Sequence, residues 1–165
     1  GVDFFISKPI FQSVVQDVLL KATRRRQSAA TLPVQKEDFA GRRILLVEDN
    51  EINMEIARTL LEFRNASVDG ACNGQQAVEM FRSSPQNHYD AVLMDVRMPV
   101  MDGIAATQAI RGLDRADAAT VPILAMTANA FAEDIERSRK AGMNEHLAKP
   151  IEPETLYARL ASYFR

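Results

Sequence analysis

Ile44-Leu45-Leu46-Val47-Glu48-Asp49-Asn50 is a continuous apolar run that stops at two acids and a helix-capping residue. A strand that is apolar without alternation is buried on both faces, which is the mark of a parallel sheet covered by helices. Working outward, the same grammar recurs. Ala91-Val92-Leu93-Met94 runs into Asp95, Val121 to Met126 runs into Thr127, and His146-Leu147-Ala148 runs into Lys149-Pro150. A weaker strand is expected near Val68.

Helical patterns fall between these runs. Asn50 can cap a helix with the stripe Ile56, Leu60 and Phe63, at i, i+4 and i+7. Asn73 can cap a second, with Ala77, Val78 and Phe81 on one face. Ile104 to Arg111 reads as a short helix stopped by Gly112. Phe131 and Ile135 mark another that ends at Gly142. Pro153 suits the first turn of the last helix, with Leu156, Leu160 and Phe164 inward. Five strand–helix units with right-handed crossovers give an α/β, (βα)5 doubly wound parallel sheet in three layers.

In such a sheet ligands bind where the strands end, on one edge. The residues collected there are Glu48, Asp49, Asp95, Thr127 and Lys149. Three carboxylates repel one another, by about 4 kcal/mol per pair at 4 Å for an effective dielectric near 20. A divalent cation removes that repulsion, and oxygen ligands beside a phosphate favour Mg2+. Asp95 is the candidate nucleophile, because a carboxylate can take a phosphoryl group as an aspartyl phosphate. The Thr127 hydroxyl can donate to one phosphoryl oxygen and the Lys149 ammonium can act as a point charge on another. The blander readings are an acid in a turn, an acidic pair favouring a helix N-terminus and a solvated lysine. The last is opposed by Pro150, which restricts the backbone of Lys149. Asp102 is expected to cap the next helix rather than bind metal, and Gly103 to supply an unusual backbone angle.

Leu46-Val47-Glu48-Asp49-Asn50, Met94 to Gly103, Ala125-Met126-Thr127-Ala128-Asn129-Ala130 and Leu147-Ala148-Lys149-Pro150-Ile151 resemble the receiver domain of two-component response regulators. The resemblance spans about residues 42 to 164. With Asn53, it is most similar to receivers of hybrid histidine kinases. It implies a flavodoxin-like sheet of strand order 2-1-3-4-5. It implies Mg2+ held by the carboxylates of Asp49 and Asp95 and the backbone carbonyl of Arg97, with Glu48 acting mainly through a bound water. It further implies Mg-dependent phosphoryl transfer from a phosphohistidine to Asp95, a conformational response and slow autodephosphorylation. Arg97 and Asn129 would modulate that loss. Family members often have a cis bond before the proline at Lys149-Pro150.

His146 stands where the family usually has Tyr or Phe. Thr127 and His146 would form the switch, the ring swinging as Thr127 moves and, with imidazole, sensitive to pH. The preferred alternative is a weakened switch with a solvated or core-satisfied imidazole. His88 reads as a loop residue. Two other functions compete. An aspartate-dependent phosphohydrolase would carry a second acid two residues after the nucleophile, where this chain has Arg97. A receiver that binds partners without phosphorylation would not need the full acid, Thr and Lys set. The expected partners are a histidine kinase or a histidine phosphotransfer domain.

Gly1 to Ile10 repeats Gly142 to Ile151 at an offset of 141, with Gly, Lys, Pro and Ile identical. Repetition at domain length indicates tandem domains. Residues 1–22 therefore read as the last strand and helix of a preceding receiver, 23–40 as a linker and 41–165 as a receiver domain. A flexible linker of that length spans about 24 Å. A helix from about Phe11 to Arg24 is expected, with an apolar stripe suited to homodimer contacts.

The 165 residues are 47% hydrophobic with a net charge of −2. That balance gives no general attraction to nucleic acid or anionic membrane. Cys72 is the single cysteine, which excludes a disulfide framework and suits a reducing, cytoplasmic setting. No apolar run approaches the roughly 20 residues that span a bilayer, and no signal peptide is recognisable. The chain does not begin with methionine, so it is expected to be part of a longer protein, a hybrid sensor histidine kinase in which a membrane anchor remains open.

Overall fold

The computed structural model describes residues 37–128 and 132–164. The expected N-terminal remnant, linker and dimerising helix, together with Asn129 and Phe131, lie outside the described residues.

The elements alternate as the apolar runs require. They are β1 (Arg43–Val47), α1 (Glu51–Glu62), β2 (Ser67–Ala71), α2 (Gly74–Ser83), β3 (Ala91–Asp95), α3 (Gly103–Arg111), α4 (Ala116–Thr120), β4 (Ile123–Thr127), α5 (Ala132–Ala141), β5 (Glu145–Ala148) and α6 (Pro153–Tyr163). The five strands form one parallel sheet in the order β2-β1-β3-β4-β5.

Both faces of the central strands are covered. Leu45, Val47, Val92, Met94 and Ile123 share a core with Val78, Phe81, Ala106 and Ile110 of α2 and α3. Ile44, Leu46, Leu93 and Leu124 are equally buried and point to the other face by strand alternation. There Tyr157 of α6 donates its hydroxyl to the Leu60 carbonyl of α1 at 2.7 Å. Helices α1, α2 and α3 begin where short polar side chains satisfy their free amides. Asn50 accepts from Ile52 and Asn53, Asn73 from Gln76, and Asp102 from Ala105.

Several expectations need correction. The inward face of α1 is Ala57, Leu60 and Leu61, whereas Phe63 caps the helix and is exposed; its backbone is still helical, and at about 100° per residue, position 63 falls outside the face that buries 57, 60 and 61. β4 starts at Ile123, because Pro122 has no amide to give the sheet, although its carbonyl already accepts from Val92. Gly112 ends α3 with φ −83°, without a left-handed turn. Phe164 is half-buried against Phe39, ring to edge at 5.2 Å. α4 was not legible, since a single turn carries no periodicity.

The register sets the site. Val47 pairs with Met94, Asp95 with Met126, and Thr127 with Ala148. Glu48, Asp95, Thr127 and Lys149 thus leave four adjacent strands at one edge.

Candidate functional site

The loop after β3 is drawn tightly over the sheet edge. The Val96 amide donates to the Met126 carbonyl, and the Gly103 amide returns to the Val96 carbonyl at 2.9 Å. A Cβ on Gly103 would fall on the Asp95 carbonyl. Gly103 is therefore required by close approach and not by an unusual backbone angle, which corrects the expectation for it. The left-handed residue of this loop is Val100, with φ 71° and 77% exposed. A β-branched side chain rarely adopts that region, and the backbone bonds on either side hold it there.

Glu48 and Asp95 are 3% and 5% exposed, while Asp49 faces solvent. One oxygen from each of the three carboxylates can be chosen so that all lie within 4.8 Å of one another. The Asn50 amide donates to Glu48 Oε1 at 3.2 Å. Lys149 Nζ donates to Glu48 Oε2 at 2.7 Å and lies 3.2 Å from Asp95 Oδ1. Its own amide donates to the Thr127 carbonyl at 2.9 Å, and the Lys149–Pro150 bond is cis. The ammonium expected at a phosphoryl oxygen thus already touches the candidate nucleophile. Glu48, expected to act through water, is Lys149's shorter partner.

With every acid ionised, three carboxylates face one ammonium. Burial pushes Asp95 up to about 7, the Glu48 charge adds to this, and Lys149 opposes it. For Lys149 burial acts downward, but the Glu48 hydrogen bond and the two acids outweigh it, so the ammonium is favoured. A donor set of hard carboxylate oxygens suits a hard divalent cation such as Mg2+, and its two charges would balance the cluster.

Thr127 is buried at the end of β4. Asn53 sits exposed in the first turn of α1. Arg97 is 74% exposed, its guanidinium 3.9 Å from Asp134 on α5. His88 lies in the loop before β3 and packs edge-on to Tyr89. His146 is half-buried, and its Nε2 is buried with no hydrogen-bond partner among the described residues. Burial, followed by the charge of Arg139, pushes its imidazole pKa down. Neither half of the preferred reading, solvated or satisfied in the core, describes that nitrogen. Sequence reasoning missed Asp134 and Arg137, which line an open groove of about 480 Å³ beside the Asp95 loop. On a helix as polar as α5 no residue stands out from its neighbours.

The fold and the edge it forms are those of a signal receiver. Residues 44–161 match the model of the response regulator receiver domain, and the chain belongs to that family. It is a receiver domain of two-component signalling. Among curated relatives, it is 34% identical over 163 residues to the signal transduction histidine-protein kinase BarA of Escherichia coli, covering 99% of this chain. It is 31% identical over 155 residues to the hybrid signal transduction histidine kinase I of Dictyostelium discoideum, covering 93%. The chain spans only 17% and 9% of those two proteins. Among solved structures, the receiver domain of a Pseudomonas aeruginosa sensor histidine kinase is 41% identical, with TM-score 0.68, over 75% of this chain and 98% of that one. That structure has a magnesium ion coordinated in its active-site cleft. A receiver domain solved with a histidine phosphotransfer protein from Saccharomyces cerevisiae is 31% identical, with TM-score 0.67, over 76% of this chain and 90% of that one.

Proposed function

We propose that Asp95 is the phosphoacceptor of a phosphorelay. A carboxylate oxygen of Asp95 attacks the phosphorus of a phosphohistidine. The new P–O bond forms as the P–N bond breaks, and the imidazole nitrogen leaves with the electron pair and takes a proton. Such transfers need mainly positioning and charge neutralisation. Asp49 and Asp95, with the Arg97 carbonyl, would hold Mg2+, which supplies charge neutralisation at the transferring group. Glu48 fixes Lys149 beside Asp95. The Thr127 hydroxyl donates to a phosphoryl oxygen, and Thr127 with His146 carries the response into β4 and β5. The reaction reverses toward a phosphotransfer histidine or ends in slow hydrolysis.

The observation that carries this reading is the Lys149 ammonium lying 3.2 Å from Asp95 Oδ1 inside a cluster with excess negative charge. Incubation with acetyl phosphate and Mg2+ followed by intact mass measurement tests it. Wild type should gain one phosphoryl group and Asp95→Asn none. Equal gain by both contradicts the assignment, and no gain by wild type favours a receiver that binds partners without phosphorylation.

The phosphoryl donor would be a histidine kinase or histidine phosphotransfer domain. The parent would be a hybrid histidine kinase with two receivers, residues 1–22 being the tail of the first. The repeat supports this, as does similarity to a signal transduction histidine-protein kinase along 99% of the chain. Among the described residues no helix is long and apolar enough to cross a membrane; a cytoplasmic location is part of the proposal.

A further inference from the structure

Arg97 reaches across a groove that lies beside the phosphoacceptor loop. Met98, Pro99 and Ile104 line the groove together with Arg97, Asp134 and Arg137. Arg97 Nη2 is 3.9 Å from Asp134 Oδ2, and Arg137 Nη1 is 4.0 Å from Asp134 Oδ1. Two guanidiniums therefore share one carboxylate, each at the long limit of an ion pair. Both are largely exposed, at 74% and 68% of their side chains. A pair of this kind is weak and readily exchanged.

Arg97 follows Asp95 by two residues. A phosphoryl group on Asp95 would bring close to two negative charges and three acceptor oxygens to that loop. Guanidinium binds such oxygens in a bidentate fork, which the single long contact to Asp134 does not match. The other end of the pair, Asp134, is 28% exposed and stands on a helix with little buried surface. Asp134 is in the first turn of α5, and the described residues of that helix bury only Ser138 and Ala141.

We propose that Asp134 is a positioning residue that competes with the Asp95 phosphoryl group for Arg97. This rests on the reading of Asp95 as phosphoacceptor. In the unphosphorylated state Arg97 belongs to Asp134 and ties the Asp95 loop to α5. Phosphorylation draws Arg97 onto the phosphoryl oxygens, covers the group from water and releases the N-terminal turn of α5. Asp134 thereby shortens the life of the aspartyl phosphate, and Arg97 couples that life to the mobility of α5.

The test measures loss of the phosphoryl group after acetyl phosphate is removed, in wild type, Asp134→Asn, Arg97→Ala and the double variant. Asp134→Asn should lengthen the phosphoryl half-life by about two- to fivefold, the size expected of a weak exposed pair. It should have no effect on an Arg97→Ala background, and Asp134→Glu should restore the wild-type rate. The Arg97 side-chain Nε–Hε resonance should shift in Asp134→Asn before any phosphorylation. An unchanged half-life in Asp134→Asn overturns the proposal, as does the same change with Arg97 absent. A wild-type chain that takes no phosphoryl group overturns the phosphoacceptor reading and the competition with it.

Discussion

Arg115 and Lys149 are both cations paired with buried acids where loops meet, and they differ in the charge around them. Arg115 forms a two-pronged pair with Asp117, both contacts at 2.7 Å, and donates also to the carbonyls of Phe81, Ser84 and Pro85. Asp117 accepts in addition from the Asn87 amide. One positive and one negative charge are matched, and their remaining hydrogen-bonding positions are filled. Lys149 instead faces two buried acids with a third beside them. The first cluster fastens the α2–β3 loop to α4 and asks for nothing further. The second is short of positive charge because the register brings its acids together, and that shortage suits a divalent cation.

Arg115→Ala leaves Asp117 buried with its strongest partner gone, and removing one member of such a pair costs about 3 kcal/mol. Urea unfolding should show that loss equally with and without Mg2+. Lys149→Ala leaves Glu48 and Asp95 uncompensated and should lower metal-free stability by about 2 kcal/mol. Added Mg2+ should recover part of this loss, in contrast to Arg115→Ala. Asp95→Asn removes a buried charge from the crowded side, so it should raise metal-free stability by about 1 kcal/mol, seen as a higher thermal midpoint.

The smallest effect concerns pH at the matched cluster. Its hydrogen bonds from Arg115 hold the Asp117 carboxyl below the usual carboxylate range. A group depressed in the folded state contributes stability above its unfolded pKa and loses it as pH falls through the folded one. Wild type should therefore lose this contribution only below about pH 4, the ordinary aspartate range. Urea midpoints for wild type and Asp117→Asn should converge as the pH drops through that window. A gap that stays constant would show that the Asp117 charge is not what Arg115 holds.

The two clusters were not equally legible in the sequence. Glu48, Asp95, Thr127 and Lys149 each stand at or just beyond the end of an apolar run, and a parallel sheet collects such positions whatever the loops do. The same logic gave five strands with helices on both faces. Arg115 and Asp117 lie in a loop and a single helical turn, where neither periodicity nor strand ends mark a residue. Side-chain detail was also out of reach. Gly103 was expected for its backbone freedom, but what matters is the space its missing Cβ leaves beside the Asp95 carbonyl. Lys149 was expected at a phosphoryl oxygen, and its hold on Glu48 depends on a rotamer. Phe63 looked like part of the α1 stripe because an apolar residue at helical spacing fits more than one face, and the buried face is that of Ala57, Leu60 and Leu61.

The acidic edge, three carboxyl groups against one ammonium, is read as short of a divalent cation's worth of charge. Thermal unfolding of wild type and Asp49→Ala, each measured without and with millimolar Mg2+, tests it most directly. A ligand that binds only the folded state raises stability by mass action. The midpoint of wild type should rise with Mg2+, and that of Asp49→Ala should rise much less. No rise in wild type, or an equal rise in both, contradicts the claim.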